Sequence, residues 1–268
     1  RIDFFPLRFS YVPFPADCSV VVAHSLVRAA KTENALLLYN RRFLECRLAT
    51  SILNATYKLD PPISRLGDLP QREKYFQSIL KEPAPFVRNA FSHDSYQLHD
   101  IAGITGESED TITRRYLMTR DGKSMPVPAE GFLLKQRALH IFSEAGRVDM
   151  SCIALNNKDI KLFGKLMDES HESCDLLYGI SIPELNELVR IMRKNGALGA
   201  RLTGAGFGGC AVALVHDEHV DRLIDCIRTE YYEGYIQNKN PGLLGKFVDS
   251  RILFSVKPSD GASIHRMA

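Results

Sequence analysis

Ten consecutive residues carry the densest set of groups suited to chemistry: Arg201-Leu202-Thr203-Gly204-Ala205-Gly206-Phe207-Gly208-Gly209-Cys210. Four glycines in six positions permit positive φ and leave no Cβ on the concave side, so successive backbone N–H groups can converge on an anion such as phosphate. Thr203 adds a hydroxyl at the mouth. Gly204, Gly206 and Gly209 also fit G-x-G-x-x-G, but that dinucleotide fingerprint works only between a strand and a helix whose N-terminus faces the pyrophosphate. Here Cys210-Ala211-Val212-Ala213-Leu214-Val215 follows, an apolar run that reads as a strand. No acidic residue ends a second strand at the required distance, so the dinucleotide reading fails. No Lys-Ser/Thr follows the glycines, which excludes a Walker A loop. Strand, glycine loop, strand remains, and the residue types leave two readings open: a phosphate cradle or a tight turn with no ligand.

Other candidate groups are weaker. His171-x-x-Cys174 and His216-x-x-His219 have spacings a metal could use, but neither is joined by a second ligand pair, so no metal site is expected. The six cysteines (Cys18, Cys46, Cys152, Cys174, Cys210 and Cys226) stand singly, without a C-x-x-C pair. A reducing, cytoplasmic setting is expected for them. Glu144 with Arg147, and Asp168 with Glu169, read as helix-surface charges, Arg201 as a strand-end charge, and Tyr231-Tyr232 as helix packing.

The elements that must position the loop are legible by period. Residues 1–22 read as β structure, Ile2 to Phe5 and then Ser19-Val20-Val21-Val22 after Pro13 and Pro15. From about Asn40, Phe43, Leu44, Leu48, Ile52 and Tyr57 recur at helical spacing, with Arg41, Arg42 and Arg47 on the other face. Residues 60–131 hold seven of the 13 prolines and predict short helices and loops, including a helix through Ile112 to Leu117. Phe132 to Val148 and a segment around Ile160, Phe163, Leu166 and Met167 predict two longer helices. Ser181-x-Pro183-Glu184 reads as a capping box for a helix buried through Leu185, Leu188, Val189 and Met192 and stopped at Asn195-Gly196. Val220, Leu223, Ile224, Ile227 and Tyr231 mark a last amphipathic helix. Strands are expected at Ala200–Thr203, Cys210–Val215 and Ile252–Val256. The fold class is α+β, with helices on one face of a mostly antiparallel sheet.

Composition bounds the partners. The 268 residues are 45% hydrophobic and 25% charged, and 34 Lys+Arg against 32 Asp+Glu leave a net charge of +2. Such a near-balance argues against a nucleic-acid grip or an anionic membrane surface. The apolar runs fall short of the ~20 residues of a membrane helix.

With its flanks, Leu202-Thr-Gly-Ala-Gly-Phe-Gly-Gly-Cys210 resembles the third signature motif of the GHMP small-molecule kinases. Val21-Val22-Ala23-His24-Ser25, Tyr39 to Ala49, Gln136 to Ala145, Met167 to Cys174, Ser181 to Leu185, and Lys257-Pro258 with Gly261-Ala262 are similar, in order, to segments of the family's galactokinase branch, which includes N-acetylgalactosamine kinases. The resemblance implies a ferredoxin-like C-terminal domain and ATP-dependent phosphorylation of the galactose 1-hydroxyl. The alternatives within that fold are an N-acetylgalactosamine kinase and a non-catalytic galactose sensor or interaction protein. It further implies that Tyr39 lies against the sugar, that Thr203, Gly204, Ala205, Gly206, Phe207, Gly208 and Gly209 border the active site, and that Ser25 and Lys31 lie near the nucleotide.

The family's sugar signature with Gly-Glu-His-x-Asp, its Pro-x-Gly-x-Gly-Leu-Ser-Ser-Ser phosphate loop and its Gly-Gly-x-x-Asp-Gln segment with the catalytic Asp do not occur in this sequence. The chain starts at Arg1 without an initiator Met, so the expectation is the C-terminal part of such a kinase, with no catalytic residue of its own and inactive in isolation. Residues 1–30 would be trailing strands of an N-terminal catalytic domain and 31–268 the C-terminal domain. ATP and Mg2+ would be held mainly by the N-terminal half, and a monomer is expected.

Overall fold

A computed structural model of the chain describes residues 1–28, 33–72, 76, 78–118, 122, 124–246 and 252–259. Ile2–Phe4 (β1) and Leu7–Phe9 (β2) pair as a short antiparallel hairpin. Cys18–His24 (β3) follows, its alternation burying Val21 and Ala23. Glu33–Tyr57 (α1) is a 25-residue helix. Pro83–Ala90 (α2) begins with proline in its first turn, and Leu98–Thr105 (α3) ends at Gly106 in the left-handed region. Leu134–Asn156 (α4) and Ile160–Glu172 (α5) come next, the second capped by the Asp159 carboxylate accepting from the Leu162 amide. α5 runs on through a π-helical stretch, Ser173–Tyr178, that stops at Gly179. Pro183–Lys194 (α6), Gly199–Thr203 (β4), Cys210–His216 (β5), Val220–Cys226 (α7) with a π-helical extension to Ile236, and Leu253–Val256 (β6) complete the order.

Four strands form one sheet in the order β4-β5-β3-β6, every pair antiparallel. Numbered among themselves this is second-third-first-fourth, the ferredoxin-like arrangement that the family resemblance implies. The first crossover, from β3 to β4, carries α1 to α6 and with them a second, helical core. Leu48, Ile52, Phe91, Tyr96, Ile101, Phe132 and Phe142 are buried in that helical core, whereas Val21, Leu188, Met192, Leu202, Ala213, Leu223 and Ile227 are buried between the sheet and its helices. α5 reaches the edge strand β4 only because Gly164 and Gly199 face each other: a Cβ on Gly199 would fall 2.0 Å from the Gly164 carbonyl oxygen.

β3, within residues 1–30, is one of the two central strands of the sheet. Two expectations are corrected. Ser181 is no helix cap; α6 starts after Ile182, and the Ser181 hydroxyl donates to the Asn186 side-chain oxygen at 2.5 Å. The long helix expected from about Asn40 begins at Glu33. Among the described residues, no helix is long and apolar enough to cross a membrane.

Candidate active site

The hairpin between β4 and β5 turns through the glycine loop, where Gly204, Gly206, Gly208 and Gly209 and also Phe207 all have positive φ. Two of its amides are used internally: Phe207 N donates to the Ile180 carbonyl at 2.7 Å and Gly209 N to the Val27 carbonyl at 2.8 Å. The Gly209 carbonyl in turn accepts from Ser25 N at 2.8 Å. The amides of Gly204, Ala205, Gly206 and Gly208 make no hydrogen bond among the described residues. At Gly206 (φ +79) a Cβ would lie 2.3 Å from the Ile180 carbonyl oxygen, so only glycine fits; beside Gly204 and Gly209 the space is open. The loop is therefore clamped at Phe207 and Gly209 and leaves the amides before and between these points unbonded, a build suited to an anion.

Each clamp has its own support. Ser25 is fully buried, and its hydroxyl bonds the Val27 backbone at 3.3 Å. The Tyr231 hydroxyl donates to the Ser25 carbonyl at 2.8 Å, and Tyr232 donates to the His24 carbonyl at 2.9 Å. Burial pushes both phenols well above their ordinary range. These tyrosines were read as helix packing; they also hold the turn that carries the second clamp. His24 Nδ1 accepts from the Leu26 amide at 2.9 Å, and burial followed by the Arg28 charge lowers its pKa.

The first clamp, Ile180, follows a turn suspended from a buried ion cluster. Glu45 on α1 is completely buried and accepts from Arg137 Nε (2.7 Å), Arg41 Nε (3.2 Å), Arg42 Nη1 (3.4 Å) and the Leu133 amide (3.2 Å). The same guanidiniums reach on: Arg42 donates to the Gly179 carbonyl at 3.0 Å, and Arg137 to the Leu177 carbonyl. Tyr178 between them stacks on His140 at 4.5 Å between ring centroids, and His140 Nδ1 lies 2.8 Å from Ser173 Oγ. Burial lowers His140 to about 4 and raises Cys46 to about 11.

Tyr39 is half exposed, one turn of α1 before Arg42, and is among the groups that act on Tyr178. The structure thus brings Tyr39, the Tyr178–Ile180 turn, the glycine loop and the buried Ser25 into one region. Thr203, Gly204 and Ala205 are exposed, Phe207 and Gly209 half-buried, and Gly206 and Gly208 buried. Lys31 and Gly261-Ala262 lie outside the described residues.

Sequence reasoning missed the Glu45 cluster, although Arg41, Arg42 and Glu45 stand at the i, i+3 and i+4 spacings that bring helical side chains together. It also misread a second group. Glu144 is not a surface charge: it accepts from Ser170 Oγ (2.5 Å), Arg147 Nε (2.7 Å) and Arg201 Nη1 (3.2 Å). Burial alone would raise its pKa, but the Ser170 and Arg147 hydrogen bonds and the Arg201 charge hold it below the ordinary carboxylate range. Asp168 accepts from the Ala200 amide at 2.8 Å and so ties α5 to β4. His171 Nδ1 accepts from the Leu202 amide at 3.2 Å, a second tie between α5 and β4.

The glycine loop sits on the β4-β5 hairpin of a ferredoxin-like sheet, and residues 153–233, which include it, match the family model "GHMP kinases C terminal". Over 292 residues the chain is 34% identical to the galactokinase of Dictyostelium discoideum, covering 98% of this chain and 55% of that protein. It is 28% identical over 287 residues to the galactokinase of Saccharomyces cerevisiae, covering 94% and 52%. Among solved structures, Lactococcus lactis galactokinase complexed with galactose is similar with a TM-score of 0.56 at 26% identity, over 81% of this chain and 42% of that one. Residues 153–233 thus form a GHMP kinase C-terminal domain, and the chain is similar to galactokinases along nearly its whole length. It spans about half the length of the curated relatives it matches.

Proposed function

We propose that the polypeptide carrying this chain is a galactokinase, transferring the γ-phosphoryl group of ATP to the galactose 1-hydroxyl, and that this chain supplies one wall of its active site. The observation that carries the reading is the set of unbonded amides at Gly204, Ala205, Gly206 and Gly208, in a loop clamped at Phe207 and Gly209 of a chain similar to galactokinases along nearly its whole length. Phosphoryl transfer asks for positioning and for donors aimed at the oxygens over which charge spreads. Amides fixed by the Phe207 and Gly209 bonds do this without reorganising, and Thr203 adds a hydroxyl beside them. Tyr39 presents an aromatic face and one hydroxyl to the sugar. Ser25 acts through the backbone, by holding Gly209, and Lys31 is assigned to the nucleotide. Mg2+, the adenine and the catalytic base belong to the remainder of the longer fold, and the 268 residues alone turn over no galactose.

The test supplies ATP, Mg2+ and either galactose or N-acetylgalactosamine to the natural polypeptide that contains this chain. Galactose 1-phosphate is the expected product. Phosphorylation of N-acetylgalactosamine alone would move the assignment to that substrate, and binding of galactose without any product would replace the kinase by a sensor.

A further inference from the structure

The end of the sheet away from the glycine loop carries a second constellation. The register of β3 on β5 sets His24 opposite Cys210 beside the loop and Cys18 opposite His216 at the far end, about 20 Å away along the strands. Cys18 Sγ lies 3.6 Å from His216 Nδ1. That nitrogen lies 3.3 Å from Asp17 Oδ2, and Asp17 Oδ1 lies 3.9 Å from Cys18 Sγ. One ligand atom from each of the three residues falls within 4.8 Å of the others.

These distances have a geometric meaning. A tetrahedral zinc ion binds sulfur at about 2.3 Å, imidazole nitrogen at about 2.0–2.1 Å and carboxylate oxygen at about 2.0–2.2 Å. Such bonds set the edges of the tetrahedron at about 3.5 Å for sulfur to nitrogen, about 3.3 Å for nitrogen to oxygen and about 3.5 Å for sulfur to oxygen. The first two edges are already present, and a small rotation of the exposed Asp17 carboxylate supplies the third.

We propose that Asp17, Cys18 and His216 form a transition-metal site of the zinc class, with a fourth position open to water. Thiolate and imidazole ligands select Zn2+ or Co2+ over Mg2+, so this site is chemically separate from any ion that accompanies a nucleotide. The ligands are held from behind. The Asp217 amide donates to the Asp17 carbonyl at 2.9 Å, Ser19 Oγ donates to the Asp217 carboxylate at 2.7 Å, and Lys257 Nζ reaches that carboxylate at 2.5 Å and the Ala16 carbonyl at 3.2 Å. Asp17 and His216 are 67% and 38% exposed in their side chains, which opens the entry path, while Cys18 is buried beneath them. Binding forms a sulfur–metal bond, and the Cys18 thiol proton passes to solvent. The ion would pin the start of β3 to the end of β5, two positions 198 residues apart, which is why spacing in the sequence gave no sign of it.

The test titrates metal-free protein with Co2+ and then Zn2+. One equivalent of Co2+ is expected to produce thiolate-to-cobalt charge transfer and the intense visible bands of a tetrahedral ion, with Zn2+ abolishing both and Mg2+ abolishing neither. Cys18→Ser should remove the charge-transfer band and weaken binding about a hundredfold, and Asp17→Asn should keep the band while weakening binding about tenfold. Cys226→Ser should change nothing, and circular dichroism verifies that each variant is folded. Asp17 is at the surface, so its variant reads the site even if Cys18→Ser unfolds. A folded protein without the band at equimolar Co2+, or a band that survives Cys18→Ser, would reduce the three contacts to a hydrogen-bonded thiol, imidazole and carboxylate and overturn the proposal.

Discussion

Two carboxylates, Glu45 on α1 and Glu144 on α4, meet different fates. Glu45 is sealed from solvent and gathers three guanidiniums and one amide, whereas the Glu144 side chain keeps 23% of its exposure and gathers two guanidiniums and one hydroxyl. Charge buried without water must be paired in full, so removing the centre of the first cluster takes the carboxylate from Arg42 and Arg137, while Arg41 keeps Glu130 and solvent can reach the second cluster. The first cluster also holds the carbonyls of Leu177 and Gly179 and so the turn that clamps Phe207. The second fastens β4 to α4 and α5 through Arg201 and Ser170. One cluster shapes the glycine loop; the other joins the helical half to the sheet.

The largest expected effect follows from neutralising the sealed centre. Glu45→Gln should cost about 3–5 kcal/mol in urea unfolding. A loss no greater than that of Glu144→Gln would break the comparison. Next comes acid. His140, between the two clusters, is neutral when folded, with its pKa near 4 rather than 6.5, because it is buried. Its contribution is fully present above about pH 6.5 and is lost as pH falls to about 4, because the unfolded chain takes up the proton first; the total is about 3 kcal/mol. His140→Gln should flatten the stability profile across that interval. Glu144→Gln should cost about 1–2 kcal/mol, since water replaces part of what is lost. The smallest effect belongs to a pair outside both clusters: Lys194 meets Glu230 at 2.9 Å at the surface, and Lys194→Ala should change stability by less than about 0.5 kcal/mol.

Local signals in the sequence reached as far as local physics does. The valine-rich β3 and β5, the glycine loop between β4 and β5, and the stripe Leu185-Leu188-Val189-Met192 each announce themselves within a dozen residues. The α+β class was legible from them, and the ferredoxin-like sheet from the family resemblance. Pairings across the chain were not. Arg137 meets Glu45 across 92 positions and Arg201 meets Glu144 across 57, so Glu144 showed only its neighbour Arg147 and looked like a surface residue. Ser181 had the spacing of a cap, but Asn186 competes for its hydroxyl. In residues 60–131, Pro70, Pro83 and Pro85 break the period into turns and short helices, yet Phe86, Phe91, Tyr96 and Ile101 still build a core with α1 and α4.

The central claim is that the unbonded amides of the clamped glycine loop face an anion. Residue-resolved amide hydrogen exchange on the natural polypeptide, with and without ATP, Mg2+ and galactose, tests it most directly. Phe207 and Gly209 should be protected in both states, because their bonds to Ile180 and Val27 do not need a ligand. The exposed Gly204 and Ala205 amides should exchange freely alone and slow at least about tenfold with the substrates bound. Unchanged exchange at Gly204 and Ala205 in the presence of bound nucleotide would contradict the claim and return the glycine loop to a tight turn.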